Sequence, residues 1–261
     1  MPCPPLEILF LGTGTSHGVP MIGCDCAVCR SPDPRNQRTR SSILIRADGL
    51  NLLVDTAPEL RLQAVRERLD RVDAVLFTHD HADHLHGIDD LRAFCQKHQM
   101  LIPLHGESKT LQTICRCWPY MFQDHEFRLR HLNVARLTTR PIEGPFRIGE
   151  LEIIPVPLMH GKDPILGYRI GNFAYLTDCS EIPESSIPLL RGLDTLVIDG
   201  LRPRPHLTHF SLGQTCLAVA RLRPRQAFLT HLTHNVDHAT VDAALPPGIR
   251  LAYDGLRILC P

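Results

Sequence analysis

The chain predicts an α/β domain in which two β-sheets pack between outer layers of helix. Strand-like apolar runs alternate with helical stretches along its length. The two halves also echo each other: Leu52-Leu53-Val54-Asp55-Thr56-Ala57-Pro58-Glu59 is answered by Ala174-Tyr175-Leu176-Thr177-Asp178-Cys179-Ser180-Glu181, each a strand ending on Asp and each followed by a helical stretch and another strand. Finally, chemistry-bearing residues fall just past apolar runs, where an α/β scaffold builds its site.

The first strand is Leu6 to Leu11; it is short, carries a charge and lacks a basic flank, so it does not read as a leader peptide. Gly12-Thr13-Gly14 and Gly18 invite a dinucleotide-binding turn, but Pro20 and cysteines follow where a helix should begin. These glycines are expected to let the backbone turn tightly beside a metal site. From Gly12 to Ser41 the chain is rich in Pro, Gly and Arg, too long and polar for an ordinary loop. Further strands are expected at 43–46, Leu52 to Asp55, Val72 to His79, 101–105, 151–157, 165–170, Phe173 to Thr177, Leu193 to Gly200 and 226–230. Helices are expected at Leu60 to Leu69, 108–117, Ile182 to Leu190 and 212–221. Glu126 to Arg147, with Arg128, Arg130, Arg136, Arg140 and Arg147, reads as a strand pair with one solvated basic face, and its arginines are secondary candidates for a phosphate-bearing ligand.

The 261 residues form one expected domain, 1–261, as the duplicated pattern implies. Formal net charge is +0, from 28 basic and 28 acidic residues, so no global field draws the chain to nucleic acid or an anionic membrane. No apolar run approaches the ~20 residues that span a bilayer. Ten cysteines do not form a secreted disulfide framework. The expected location is the cytoplasm. Cys3, Cys95, Cys115, Cys117, Cys179, Cys216 and Cys260 are scattered and expected to act as small buried hydrophobes.

Thr78-His79-Asp80-His81-Ala82-Asp83-His84 is the most informative stretch. With 15 His in 261 residues, composition alone would produce H-x-H-x-D-H on the order of 0.003 times. Imidazoles and a carboxylate crowded at the end of a buried strand are costly unless a cation compensates them. His160, Asp178 and His231 sit at other strand ends in the same manner and are the ligands still needed. Asp80 alternates away from the ligands and is expected to orient an imidazole. His17 and His206 are expected mainly as loop residues; His125, His131 and His238 carry no argument.

T-H-x-H-x-D-H followed by a distant His, Asp and His resembles the metallo-β-lactamase superfamily along essentially the whole chain. The resemblance implies a four-layer αββα sandwich with an inserted zinc-binding loop at about 18–41. It implies that His79, His81 and His160 hold one metal, that Asp83, His84 and His231 hold a second, and that Asp178 bridges them. Two divalent ions ~3.5–4 Å apart do need a shared anionic ligand. Cys24-x-Cys26-x-x-Cys29 supplies three thiolates, and His234, three residues after His231, is the fourth ligand of an expected structural Zn²⁺ worth ~10–16 kcal/mol of local organisation.

Gly18-Val19-Pro20-Met21-Ile22-Gly23-Cys24 with Leu229-Thr230-His231-Leu232-Thr233-His234 resembles the PhnP-type phosphodiesterase family, which acts on phosphoribosyl cyclic phosphate in phosphonate metabolism. This implies a small phosphodiester substrate, a cyclic ribose phosphate such as 5-phosphoribosyl 1,2-cyclic phosphate, and a homodimer. It also implies two active-site ions, Mn²⁺ or Zn²⁺, holding a bridging hydroxide, since cations lower the pKa of bound water from about 15.7 to roughly 7. Asp178 and His209 become the catalytic residues, His209 near the leaving group. Asp89-Asp90-Leu91-Arg92 and Gly200-Leu201-Arg202-Pro203-Arg204-Pro205-His206 depart from the best-known member and leave the substrate open. Alternatives with similar ligands are a tRNA 3'-processing endonuclease, which would want a basic RNA clamp, a thioester hydrolase or sulfur oxygenase, and an accessory protein resembling pyrroloquinoline-quinone biosynthesis protein B.

Overall fold

The structure, a computed structural model, describes residues 4–123 and 133–261. One seven-stranded sheet comprises β1 (Leu6–Gly12), β2 (Ser42–Ala47), β3 (Leu50–Val54), β4 (Ala74–Leu76), β5 (Ile102–Gly106) and β6 (Leu137–Pro141), with β14 (Arg257–Cys260) beyond β1. The other comprises β7 (Phe146–Ile148), β8 (Leu151–His160), β9 (Asp163–Ile170), β10 (Phe173–Leu176), β11 (Thr195–Asp199), β12 (Gln226–Thr230) and β13 (Ile249–Leu251). Both sheets follow one plan. Pairing is antiparallel up to β3 in the first and β10 in the second, and parallel thereafter.

Parallel pairing requires crossovers, and these carry the helices. On the first sheet lie α1 (Leu60–Arg66), the single turn α2 (Ala82–Leu85), α3 (Leu91–His98) and α4 (Ser108–Cys117); on the second lie α5 (Leu212–Leu222) and α6 (His238–Ala244). Strand alternation divides the apolar residues among three cores. Leu52 and Val54 of β3 face inward with Phe10, Ile45, Tyr168, Tyr175 and Phe228, between the sheets. Leu53 faces outward with Val75 and Phe77 against Leu60, Leu91, Phe94 and Ile114. Leu176, Leu196 and Leu229 meet Leu190, Val219 and Leu222 on the far side. Layer order is therefore αββα. Phe77 is fully buried, so Phe77→Ala would cost about 3–5 kcal/mol.

The sheets are also bonded at the edge where the histidine block emerges. The Leu166 amide donates to the Thr78 carbonyl at 3.0 Å, and the Tyr168 hydroxyl to the Phe77 carbonyl at 2.5 Å. Gly12 is needed there for close approach: a Cβ would lie 1.9 Å from the Arg40 carbonyl oxygen.

Several expectations are corrected. Of the segment Glu126 to Arg147, the described residues 133–147 do not form a strand pair, because β6 extends the first sheet beside β5 while β7 starts the second beside β8. Arg140 and Arg147 are exposed on different sheets; Arg128, Arg130, His125, His131 and Cys3 lie outside the described residues. The helix from Leu60 stops at Arg66. Ile182 to Leu190 yields a 3₁₀ segment, Glu184–Leu190, since Pro188 cannot donate an α-helical bond. β8 runs to His160 because it pairs with β9 to its last residue. Cys95, Cys179 and Cys260 are buried, but Cys115 and Cys216 are half-buried and Cys117 is exposed. No described helix is long and apolar enough to cross a membrane.

Candidate metal centre

The histidine block leaves β4 and wraps into α2, with His81 at the N-cap and Asp83 in the first turn. Asp55, just past β3, lies behind it. Asp55 accepts from the Thr78 amide (2.9 Å), from the Thr78 hydroxyl (2.9 Å) and from His84 Nδ1 (2.7 Å). Because the Thr78 hydroxyl donates to Asp55, its oxygen accepts from His79 Nδ1, 3.0 Å away. One carboxylate thus sets the tautomer of two imidazoles, leaving the lone pair of each on Nε2.

The second sheet supplies the facing groups. His160 Nδ1 donates to the Asp178 carbonyl at 2.6 Å, which again frees Nε2. Asp178, past β10, and His231, past β12, both sit in left-handed backbone, at φ 56° and 60°. Asp178 Oδ2 lies 3.3 Å from His84 Nε2 and 3.9 Å from His79 Nε2; its Oδ1 lies 3.0 Å from His231 Nε2. Asp83 Oδ2 stands 3.3 Å from His84 Nε2 and 3.7 Å from His231 Nε2.

These approaches are close without being aligned as hydrogen bonds. Nε2 of His79, His84 and His231 are buried with no hydrogen-bond partner. Several imidazole nitrogens converging unpaired on two carboxylates are the donor set of a divalent cation, and the residues fit one. Burial works against charge on His84 and His231, yet the facing Asp178 and Asp83 hold both imidazoles above their ordinary value. Burial likewise opposes charge on Asp178, and His231 and His84 hold its carboxyl well below the usual range. A cation entering here would displace the protons those histidines otherwise carry.

Ligand atoms of Asp83, His84, Asp178 and His231 lie within 4.8 Å of one another, the set expected for the second ion. The set expected for the first is looser: the rings of His79, His81 and His160 border one another at 4.5 to 5.7 Å. The group that closes tightly with His160 and Asp178 contains His209 instead. His81 is exposed, so this side opens to solvent through a cavity of about 40 Å³ that His79, Glu107 and Lys109 also line. The larger groove between α1 and α3, about 430 Å³ and lined by Leu60, Ala64 and Phe94, contains none of these groups.

His209 stacks on His231 at 4.9 Å and meets His160 edge-on at 4.7 Å, with Nδ1 2.8 Å from Asp199 Oδ2. Burial, with His231 beside it, pushes the His209 imidazole down to about 4, and burial pushes the Asp199 carboxyl up. Charge on either member alone is disfavoured, and the proton between them is held by that bond. Asp80 does not orient an imidazole; it accepts from the Thr113 hydroxyl at 3.0 Å and lies 3.8 Å from Lys109. The orienting carboxylates are Asp55 and Asp199, which sequence reasoning did not single out. Their only signal was position, each ending a strand of the internal repeat.

The cysteine loop makes a separate cluster. Sγ of Cys24, Cys26 and Cys29 lie 3.1, 3.4 and 3.7 Å from His234 Nδ1. The Cys29 amide donates to Cys26 Sγ and the Met21 amide to Cys29 Sγ, both at 3.4 Å, the support thiolates need. The Cys29 amide holds the Cys26 thiol down, to about 6, while burial pushes the Cys29 thiol up, to about 11. Four converging soft and imidazole donors with no disulfide fit a closed tetrahedral zinc site. Arg38 ties this loop to the segment after His231, donating to the Val236 carbonyl at 2.9 Å and the Thr233 carbonyl at 3.2 Å.

Residues 50–232 match the family described as Beta-lactamase superfamily domain. A solved diphosphatase of the PhnP family superposes with a TM-score of 0.90 at 38% identity, covering 98% of this chain and 99% of that one. The chain is 37% identical over 257 residues to an octanoyltransferase of Porphyromonas gingivalis, spanning 97% of this chain and 51% of that protein, about half its length. It is 34% identical to coenzyme PQQ synthesis protein B of Methylobacterium radiotolerans, over 75% of this chain and 73% of that protein. Cys24, Cys26, Cys29 and His234 lie outside the matched residues 50–232.

Proposed function

This chain belongs to the beta-lactamase superfamily, as a metallo-β-lactamase-fold hydrolase close to a PhnP-family diphosphatase, and from that premise we propose that it cleaves a small phosphodiester. The observation that carries the reading is the pairing of Asp178, faced by unpaired Nε2 atoms, with a His209–Asp199 couple beside it. His79, His81, His160 and Asp178 would hold one divalent ion, and Asp83, His84 and His231 a second sharing Asp178. Mn²⁺ and Zn²⁺ both suit such mixed N/O donors. Cys24, Cys26, Cys29 and His234 would hold a structural Zn²⁺. Bound in the histidine centre, divalent ions supply an acidified water and neutralise phosphoryl oxygens.

The chain's own groups handle the rest. Asp55 and Thr78 keep the imidazoles of His79 and His84 in the tautomer that presents Nε2. Cleaving an alkyl diester expels an alkoxide, and protonating it is worth ~10²–10⁴-fold. Taking up a second proton from solvent as the substrate anion arrives, His209 would give Nε2–H to the leaving alkoxide, while Asp199, bonded to Nδ1, would stabilise the transient imidazolium. The first substrate to examine is a cyclic ribose phosphate such as 5-phosphoribosyl 1,2-cyclic phosphate. The relative described as a diphosphatase supports a second reading, cleavage of a phosphoanhydride, whose phosphate leaving group leans less on an acid.

The test is metal analysis followed by turnover of a cyclic ribose phosphate, a diphosphate, a tRNA precursor and an octanoyl thioester. Expected are three bound metals and diester turnover that a chelator abolishes and Mn²⁺ or Zn²⁺ restores. Thioester turnover without diester turnover would refute the reading; a single zinc in an inactive protein would favour an accessory role like that considered for the PQQ synthesis protein B relatives.

A further inference from the structure

The imidazoles of the histidine centre are not all held in the same way. His79, His84, His160 and His209 each bond through Nδ1, to the Thr78 hydroxyl, Asp55, the Asp178 carbonyl and Asp199 respectively. His231 does not: its Nδ1 is buried and has no hydrogen-bond partner among the described residues. A metal-binding imidazole takes its ring orientation from a bond at its other nitrogen. For His231 that orientation has to come from the backbone that carries it, which sits at φ 60°.

This backbone is held from the first sheet. Immediately after His231, the Leu232 amide donates to the Thr13 carbonyl at 2.8 Å, and the Leu232 carbonyl accepts from the Thr15 amide at 3.2 Å. Gly14 pairs in parallel with Leu232 on one side and with Arg40 on the other. Residues 13–15 are therefore a rib joining the two sheets beside the centre. Only glycine fits at its middle, since a Cβ on Gly14 would lie 2.7 Å from the Arg38 carbonyl oxygen.

The rib is fixed in turn by a carboxylate that the reaction does not use. Asp254, its side chain 6% exposed, accepts at Oδ1 from the Thr13 amide (2.9 Å) and hydroxyl (2.8 Å). At Oδ2 it accepts from the Thr39 amide (2.9 Å), the Thr39 hydroxyl (2.6 Å) and Arg66 (3.2 Å). The Thr39 carbonyl accepts from the Gly14 amide at 2.7 Å, so both arms of the clamp end on the rib. Only a carboxylate offers acceptors on both sides; an Asn in either orientation would turn its NH₂ toward a backbone N–H.

We propose that Asp254 is a positioning residue for the metal centre, aiming His231 through Thr13 and Leu232 in place of the bond that its Nδ1 lacks. The inference rests on the reading of His231 as a metal ligand and deepens it.

Isotope-edited histidine NMR of the full chain, freed of active-site metal and then titrated with Zn²⁺, reads each imidazole separately and without turnover. In metal-free Asp254→Asn the His231 signals should move, while those of His79 and His84, oriented through Thr78 and Asp55, should stay. Loading His231 should then need about 10- to 100-fold more Zn²⁺ than in wild type, the usual cost of losing a group that orients a ligand. Thr13→Val, which removes one bond to Asp254, should move the His231 signals less, and Thr13→Ser should restore them; this pair carries the same comparison if Asp254→Asn does not fold. Unmoved His231 signals overturn the proposal. So does equal displacement of His79, His84 and His231, which would report general loosening. Wild-type His231 signals that ignore Zn²⁺ would instead sink the ligand reading, and the metal-free comparison would still decide the positioning role.

Discussion

The histidine centre and the cysteine cluster share a segment, His231 serving one and His234 the other, yet they are built on opposite principles. Ligand candidates of the first stand at the ends of β4, β8, β10 and β12, so both sheets and all three cores hold them in place. Those of the second hang on a loop whose small apolar cluster, among the described residues, is Val19, Val28, Cys29 and a few half-buried neighbours. A scaffold positions the histidine centre before any ion arrives, whereas the cysteine loop would depend on an ion for much of its order. The difference teaches where each metal would act: one on substrate, the other on the chain.

The largest effect should come from Asp178→Asn, which removes the charge shared by both halves of the histidine centre. Active-site metal should be lost and turnover fall below about 10⁻³ of wild type, with circular dichroism unchanged, since the adjacent acid alone is worth ~10²–10⁴; metal content and rate measured together check this. His209→Ala should keep the metals and lose ~10²–10⁴ on an alkyl diester. Bis(p-nitrophenyl) phosphate, whose leaving group needs no proton, should be largely spared, and equal loss on both substrates would remove His209 from the acid role.

Cys26→Ser sharpens the contrast from the other side. It should release one zinc, expose the loop to proteolysis and lower turnover by up to about 100-fold, as a displaced His231 segment would. Retained protease resistance with unchanged zinc content would contradict the dependence described. Asp55→Asn should be mildest, weakening active-site metal binding about 10- to 100-fold through His84 and His79 while leaving the cysteine zinc in place; a chelator competition series would resolve the two populations.

Much of this was legible in the chain because the signals are local. H-x-H-x-D-H and C-x-C-x-x-C are contiguous, and strand periodicity set Phe77, Leu176 and Leu229 before the site residues that follow them. Asp55 and Asp199 were not legible as orienting groups, since their partners lie 29 and 10 residues away and a strand-ending Asp is otherwise unremarked. Asp80 misled for the complementary reason: inside the motif it had the right neighbours in sequence, and in space it faces Thr113. β6 and β7 look alike as alternating strands, and only packing assigns them to different sheets.

The sequence by itself determined the layers, the inventory of candidate ligands and their separation into a histidine and a cysteine set, because residue chemistry and periodicity are properties of short segments. Tertiary structure alone decided which member of each set faces which. Asp55 and Asp178 occupy matching places in the repeat, in left-handed backbone at φ 62° and 56°, and both are buried. Thr78 and His84 Nδ1 occupy both oxygens of the first, so it orients; the Thr177 hydroxyl takes only Oδ1 of the second, which unpaired Nε2 atoms face, so it would be left to bind. That division depends on hydrogen bonds between segments distant in the chain, which no local pattern encodes.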